Sequence, residues 1–309
     1  NITKEWEVLS KSKNRKFDFK FLNLYQERLG IDPGIFGALI CDRRIFMGYK
    51  STFKQDYKRR FDDKTLLTML QVSLEEVDKL FNSYNPNIVI SFQCVTIFDY
   101  LFYLFARERK IKYLNLRPSK IENRILFSST INDPPPEILD EYQINLQNPK
   151  LNLDQNNSSI IYLQNFRSKN ALYEGVVKPS KKPTQKIDLQ FNTIFKITKL
   201  MKDIFKYYFY KYYLDNHISN PLVKAFYLGI YNPFNAMKMN RYLSKRYLDK
   251  KKLNKIKYVF FPMHTEPEVS LLVYGKPFIN QIELIRIISM NLPIDTYLVV
   301  KDHPWMIGK

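Results

Sequence analysis

Two of the three histidines in this 309-residue chain lie within residues 262–304, in two short segments that also carry acidic side chains. His264 shares its segment with Glu266 and Glu268, and His303 lies within the run Lys301-Asp302-His303-Pro304. An imidazole can donate a hydrogen bond to a phosphate group, and it can act as an acid or base near neutral pH. These two segments are therefore the first candidates for a site.

A predicted strand–helix–strand unit positions the two histidines. The pattern predicts strands over 258–261 and 296–300 and a helix over 281–290, with Asn280 and Glu283 in capping positions. Such a crossover makes the strands parallel, so the segments after them leave the same edge of the sheet, where open α/β sheets bind ligands. A single histidine after a strand can simply satisfy a turn, but two at matching positions favour a functional pair.

A series of short motifs runs through the same region. In chain order they are Phe261-Pro262-Met263-His264, Pro267-Glu268-Val269-Ser270, Gln281, Leu292-Pro293 and Val300-Lys301-Asp302-His303-Pro304. Together they resemble the bacterial capsule polysaccharide biosynthesis family, relatives of the Kdo transferases of capsule assembly. Asp302 stands where that family more usually has Glu. Weaker support comes from 86–129, where Ser119-Lys120-Ile121 and Asn123-Arg124 follow a predicted strand, helix and strand.

The resemblance implies a GT-B-like α/β fold, in which two Rossmann-type parallel-sheet domains face a cleft. It also implies transfer of a sugar from a nucleotide-sugar, CMP-linked and Kdo-like, to a growing capsule or other surface glycan or glycolipid. A His-Pro pair after a strand of the second domain contacts the donor phosphate in such enzymes, which here corresponds to His303 and Pro304. The nucleotide-sugar is a substrate, and no cofactor or metal is implied. The Gly/Ser-rich donor loops of the family do not occur in this sequence.

Sugar transfer leaves negative charge on the departing phosphate, which hydrogen-bond donors or a cation can stabilise. His303 and Lys301 are the candidates for that role. The acceptor hydroxyl needs a base, and the candidates are His264, Glu266, Glu268 and, from across the cleft, Glu122. Glu268 can instead be an acid that stabilises the positive end of a helix dipole.

Gln93 and Arg124 are the candidates for acceptor or cleft contacts. Gln93 follows the predicted strand 88–92 at a carboxyl edge, although a turn into the next helix is the simpler explanation. Arg124 suits an anionic acceptor or donor, and it equally suits an ordinary surface ion pair.

Residues 1–132 are expected to form an amino-terminal, Rossmann-like domain on the acceptor side. The predicted elements are a helix starting at the capping pair Ser73 and Glu76, a break at 85–87, a strand over 88–92, a helix over 95–109 and a strand over 111–116. An earlier strand is predicted over 38–41, after Gly34 and Gly37.

Three further segments follow. We expect a polar excursion or linker over 133–190, a basic aromatic helical segment over 191–257 and the start of a nucleotide-sugar-binding domain over 258–309. Two parallel strands alone cannot bury both faces of a sheet. We therefore expect this last domain to be incomplete.

The segment 191–257 carries fifteen Lys and Arg and only three acids, so it holds +12 of the chain's net charge of +19. Aromatic residues crowd 205–213, and lysines recur at helical spacing before them. This composition suits a helix lying on an anionic membrane surface, and it also suits a packed helix with a solvated lysine face. Single-stranded nucleic acid is disfavoured as a partner because no RNA-binding signature accompanies the aromatic residues.

The overall composition excludes several classes of protein. Two cysteines cannot build a disulfide scaffold, and 45% hydrophobic residues exclude a wholly disordered chain. The most apolar window, 87–105, contains Asp99 and is too polar for a spanning helix. We expect a cytoplasmic transferase, peripheral at the inner face of the plasma membrane. The alternatives are a CDP-polyol phosphate transferase and a non-catalytic scaffold that binds polysaccharide or nucleic acid.

Overall fold

The computed structural model describes residues 2–47, 59–119, 121, 124–147, 153–168, 192–215, 218–244, 247–266, 268–275, 278–303 and 306. The helices of the first half are α1 (Glu5–Ser10), α2 (Phe19–Leu29), α3 (Gly37–Cys41), α4 (Arg43–Phe46), α5 (Asp63–Tyr84) and α6 (Ile97–Glu108). The helices that follow are α7 (Pro136–Gln147), α8 (Leu153–Ser168), α9 (Asn192–Phe209), α10 (Pro221–Phe226), α11 (Asn232–Leu243), α12 (Lys250–Leu253) and α13 (Gln281–Met290).

The strands are β1 (Ile88–Ser91), β2 (Lys112–Pro118), β3 (Ile125–Ser128), β4 (Lys257–Pro262) and β5 (Thr296–Lys301). Lys11–Asn14 and Tyr212–Leu214 form 3₁₀ turns, and Tyr227–Tyr231 and Ser270–Tyr274 form π-helical turns. The chain is thus an α/β protein with more helix than strand in its described part.

Helix α5 begins ten residues earlier than the sequence pattern predicted. The side chain of Asp62 caps it by accepting a hydrogen bond from the Thr65 N–H at 2.8 Å. Ser73 is therefore a mid-helix residue, and its buried hydroxyl donates to the Met69 carbonyl at 2.8 Å, as serines inside helices often do. The predicted capping pair at Ser73 and Glu76 is wrong, because the apolar periodicity already starts at Leu66. The break after the helix is confirmed: Asn85 ends it in a left-handed conformation.

The predicted helix over 95–109 is confirmed as α6. Thr96 and Asp99 form a capping box, since each side chain accepts a hydrogen bond from the other residue's backbone N–H. Eight of the twelve residues of α6 are buried, including Tyr100 and Phe105. The helix therefore forms the centre of the amino-terminal core.

The predicted strand over 38–41 is wrong, because this segment is the short helix α3. An apolar run of four residues does not distinguish a strand from a buried helical turn. Here i to i+3 hydrogen bonds close the turn, beginning with Gly37 N–H to the Gly34 carbonyl at 3.1 Å. The helix packs against α6 and buries Ala38, Leu39 and Cys41.

The first sheet has the order β1-β2-β3. Strands β1 and β2 are parallel, as predicted, with Ile88 opposite Lys112 and Ser91 opposite Asn115. Strand β3 was not predicted, and it pairs antiparallel with β2 through a hairpin. This sheet is therefore mixed rather than purely parallel. A parallel sheet needs long crossovers, whereas a hairpin needs only the few residues between β2 and β3.

Helices make up most of the described part of the two middle segments. The predicted polar excursion contains α7 and α8, and α7 buries none of its side chains. The basic segment contains α9 to α12, in line with its predicted helical character. No helix within the described ranges is both long and apolar enough to cross a membrane.

The second sheet confirms the predicted strand–helix–strand unit. Strands β4 and β5 are parallel in register from Lys257 opposite Thr296 to Pro262 opposite Lys301. Asn280 caps α13 by accepting from the Glu283 N–H at 3.1 Å. Much of this sheet's apolar surface is exposed, including Phe260 and Tyr297.

One apolar turn ties the second sheet to the first half of the chain. Leu272 and Val273, in the π-helical turn after β4, belong to the same buried cluster as Leu39, Cys94 and Tyr100. The turn packs against α3. The segment that leaves β4 is thus anchored in the amino-terminal core.

Gly37 offers a direct test of this core. A Cβ added there would collide with the hydroxyl of the buried Tyr100. We expect Gly37→Ala to lower the free energy of unfolding by about 1–3 kcal/mol, the usual cost of overpacking a core. The measurement is urea denaturation followed by circular dichroism.

The matched control is Gly229→Ala. Gly229 lies in the π-helical turn Tyr227–Tyr231, and an added Cβ there has no neighbour within 4 Å among the described atoms. This substitution should leave stability unchanged or raise it by up to about 1 kcal/mol, because alanine favours helix over glycine. Equal losses in the two variants would contradict the packing of α3 on α6.

Candidate functional site at the edge of the second sheet

The two histidine-bearing segments leave the same edge of the second sheet. Pro262 at the end of β4 lies opposite Lys301 at the end of β5. The ladder continues one step beyond the strands, because the Met263 N–H donates to the Lys301 carbonyl at 2.9 Å. His264 and His303 therefore each follow closely on a paired residue, one on each strand.

Gln281 fixes the backbone of His264. Its carboxamide oxygen accepts from the His264 N–H at 2.7 Å, and its amide nitrogen donates to the His264 carbonyl at 3.1 Å. The same nitrogen also donates to the Glu266 carboxylate. Gln281 is buried at the first turn of α13, whereas His264 is exposed. The backbone around His264 is thus held while its imidazole faces outward.

Met306 links the two segments at this edge. The Glu266 N–H points at the Met306 sulfur at 3.4 Å, and the Met306 N–H donates to the His303 carbonyl at 2.8 Å. His303 is partly buried, and the preceding Lys301 is exposed. Partial burial raises the pKa of Asp302, against the opposing effect of a hydrogen bond from the His303 backbone N–H. Pro304 lies outside the described residues.

Glu268 has a different environment from Glu266. Its carbonyl accepts from the N–H groups of Leu271 and Leu272 at 3.0 and 2.9 Å, so it lies at the start of the buried π-helical turn. Burial lowers the pKa of Arg43 in α4, and the nearby charge of Glu268 opposes that shift. Glu268 therefore lies where the second sheet meets the amino-terminal helices.

The candidates on the first sheet lie at its own carboxyl edge. Gln93 is half-buried in the bend after β1, and Cys94 beside it is buried. Arg124 is exposed in the β2–β3 hairpin, where its carbonyl accepts from the Ser119 N–H at 3.1 Å. Glu122 lies outside the described residues. Gln93 and Arg124 thus follow neighbouring strands of one sheet, and His264 and His303 follow strands of the other.

A buried polar network behind Gln93 was missed by the sequence analysis. The Ser91 and Tyr113 hydroxyls are 2.6 Å apart, and the Asn115 amide donates to Ser91 Oγ at 2.9 Å and to the Phe92 carbonyl at 2.7 Å. Arg117 Nε donates to Asn115 Oδ1 at 2.7 Å. Burial raises the pKa of Tyr113. The available signal was the alternation in β2, which places Tyr113, Asn115 and Arg117 on one face.

Arg117 connects this network to the turn that follows β4. Its guanidinium lies 5.0 Å from the ring centroid of Tyr274 and donates to the Thr130 carbonyl at 2.6 Å. Burial raises the pKa of Tyr274, while the positive charge of Arg117 lowers it. The carboxyl edge of the first sheet is therefore in contact with the segment that leaves β4.

The structure thus brings His264, Glu266, Lys301 and His303 to one sheet edge, where their backbones are held by Gln281, Met306 and the strand ladder. Gln93 and Arg124 lie at the other sheet's edge, and Glu268 lies in the connecting segment. No group of three or more His, Cys, Asp or Glu side chains placed to hold a metal ion occurs in the part of the chain that the structure describes.

Gln281→Glu tests the role of Gln281. The substitution keeps an acceptor for the His264 N–H, but it replaces the amide donor with a carboxylate that faces the His264 carbonyl and Glu266. We expect a loss of about 1–3 kcal/mol in the free energy of unfolding, the cost of leaving buried polar groups unpaired. The measurement is urea denaturation at pH 7.

The control for this substitution is Gln143→Glu on the exposed surface of α7. It should change stability by no more than about 0.5 kcal/mol, as is usual for surface positions. If both variants lose the same stability, Gln281 does not hold the His264 backbone.

The chain was also compared with known proteins. No family model matches it, and neither a curated protein nor a solved structure matches it.

Proposed function

We propose that this protein is a GT-B-type glycosyltransferase that moves a sugar from a nucleotide-sugar to a growing capsule or other surface polysaccharide. The observation that carries the proposal is the shared edge of β4 and β5, where His264, Lys301 and His303 follow paired strand ends. Carboxyl edges of open parallel sheets are where α/β proteins bind their ligands. The donor of the proposed reaction is a CMP-linked, Kdo-like sugar.

His303 and Lys301 are assigned to the donor phosphate. Negative charge grows on this phosphate as the bond to the sugar breaks, and donors fixed in advance stabilise it best. The turn between His303 and Met306 and the strand pairing of Lys301 support such fixed positions. Pro304 is the second residue of the His-Pro pair that contributes to the resemblance to the capsule polysaccharide biosynthesis family. It is assigned to the same subsite.

His264 is the preferred base among the candidates. Its backbone is held by two hydrogen bonds to Gln281, and its imidazole is exposed at the edge. An imidazole also exchanges protons near neutral pH, which suits removal of a proton from an acceptor hydroxyl. Glu266 is already hydrogen-bonded to Gln281, and we assign it to orienting the loop.

Glu268 is assigned to the connection between the sheets rather than to the chemistry. It precedes a turn whose apolar residues are buried in the amino-terminal core, and it lies near Arg43. Such an acid helps to hold the turn in place through its charge.

The acceptor is assigned to the side of the first sheet. Gln93 and Arg124 follow its strands, and the contact of Tyr274 with Arg117 brings this sheet next to the segment after β4. Arg124 suits an anionic glycan or glycolipid acceptor. We propose that the reaction takes place on the cytoplasmic side of the plasma membrane, with no cofactor or metal among its parts.

Calorimetry with nucleotides tests the donor site. We expect one of CMP, CDP and UDP, CMP first, to bind the wild-type chain, and we expect His303→Ala to weaken that binding at least tenfold, because a hydrogen bond to a charged phosphate is lost. The matched control is His217→Ala, which removes the histidine that the sequence does not place after β4 or β5, and it should leave the affinity unchanged.

The outcome also separates the alternatives. Preference for CDP would favour transfer of a polyol phosphate in place of a sugar. If the folded chain binds none of the three nucleotides, or if His303→Ala binds as well as wild type, the transferase proposal is overturned and a non-catalytic scaffold becomes the better account.

A further inference from the structure

Helix α9 exposes an apolar stripe. Ile197, Met201 and Phe205 recur every four residues along it and are 54%, 63% and 59% exposed. Tyr208 and Phe209 extend the stripe by a further turn and are also more than half exposed. At 3.6 residues per turn these five side chains share one side of the helix. Contiguous apolar surface of this kind marks an interaction site more often than chance exposure.

The helix is folded against the protein through a different side. Tyr207 is buried, and Leu200 and Ile204 are partly buried. Tyr207 lies close enough to Arg60 for their charges to influence each other's pKa values. The exposed stripe is therefore the outer side of a packed helix.

Lysines line one border of the stripe. Lys199, Lys202 and Lys206 are all exposed, and helical geometry places them next to Phe205 and Phe209 and away from the buried Tyr207. Long lysine side chains in this position can lay their methylenes along an apolar surface and extend their charges to its edge. The stripe thus has the pattern of a helix that lies flat on a charged interface.

A second exposed stripe runs through α10, the following π-helical turn and α11. Its members are Leu222, Phe226, Ile230, Phe234 and Met237, and each is at least half exposed. Helix α10 packs against α9. Exposed apolar side chains therefore occur on α9 and on the helices next to it, rather than on one helix alone.

We propose that helices α9 to α11 dock on a lipid bilayer with anionic headgroups. The apolar side chains would enter the boundary between headgroups and acyl chains, and the lysines would contact lipid phosphates. The net charge of +12 over 191–257 is complementary to such a surface. The proposal concerns binding along the surface and places no helix across the bilayer.

Two other occupants fit less well. Single-stranded nucleic acid is held by stacking on aromatic rings, but Ile197, Met201, Leu222, Ile230 and Met237 offer no ring. A second copy of the chain would bring two strongly positive segments together, which like-charge repulsion disfavours. A bilayer accommodates the aliphatic side chains and the lysines together.

The test is flotation of the full chain with lipid vesicles. We expect it to float with vesicles of phosphatidylcholine and 30 mol% phosphatidylglycerol and to remain unbound with phosphatidylcholine alone. The double variant Met201→Glu/Phe205→Glu, and separately the triple variant Lys199→Glu/Lys202→Glu/Lys206→Glu, should each reduce binding at least about tenfold. All five positions are exposed, so circular dichroism should show an unchanged fold.

The matched control is Ile138→Glu/Tyr142→Glu on α7. This helix also exposes apolar side chains four residues apart, but Glu137, Asp140 and Glu141 accompany them. These substitutions should leave vesicle binding unchanged, and the control thereby separates loss of the docking surface from a general effect of added charge.

Three results would overturn the proposal. They are no binding to anionic vesicles, equal binding by the Met201/Phe205 variant, and dimerisation that the same variant abolishes, which would assign the surface to a second copy. The assay contains no nucleotide, so its failure is distinguishable from failure of the donor site.

Discussion

Burial of the short apolar turn after β4 is the constraint on which the arrangement of the two sheets depends. Leu271, Leu272 and Val273 are removed from water, the last two within the amino-terminal core. Each such side chain contributes roughly 1.5–3 kcal/mol when it is fully buried. The segment leaving β4 cannot shift without giving up that burial. The position of Glu268 and the contact between Tyr274 and Arg117 both follow from it.

Polar side chains hold the backbone in place beyond the strand ends. Asn115 satisfies the Phe92 carbonyl beyond β1, and Gln281 satisfies both backbone groups of His264 beyond β4. In each case a buried carboxamide serves a backbone that has left its ladder, because an unpaired buried group costs as much as a lost hydrogen bond. The candidate side chains His264 and Lys301 therefore extend from backbones that are already held. Such preorganisation is what stabilisation of a developing phosphate charge requires.

The elements around the candidate site could be predicted from the sequence because their signals were local. Asn280 is a capping residue before an apolar helical face, so it marks the start of α13. The run from Thr296 to Val300 likewise marks the extent of β5. The segment 38–41 could not be told from a strand, because a short apolar run fits either structure, and its packing against α6 involves residues distant in sequence. The start of α5 at Asp63 was not predicted, because Ser73 and Glu76 have the spacing of a helix-capping pair. The hydrogen bonds of Gln281 to His264 depend on the path of the chain after β4. They could not be predicted, because no pattern in the sequence of α13 indicates them.

The central claim is that His264 and His303 form one nucleotide-binding edge. With three histidines in the chain, the imidazole signals in a ¹H–¹³C correlation spectrum can be assigned by single substitutions. The most direct measurement is a titration of the folded chain with CMP followed at these signals. The account predicts that the signals of His264 and His303 shift together with one dissociation constant while that of His217 stays in place. Shifts at His217 alone, or no shift at any histidine, would contradict it.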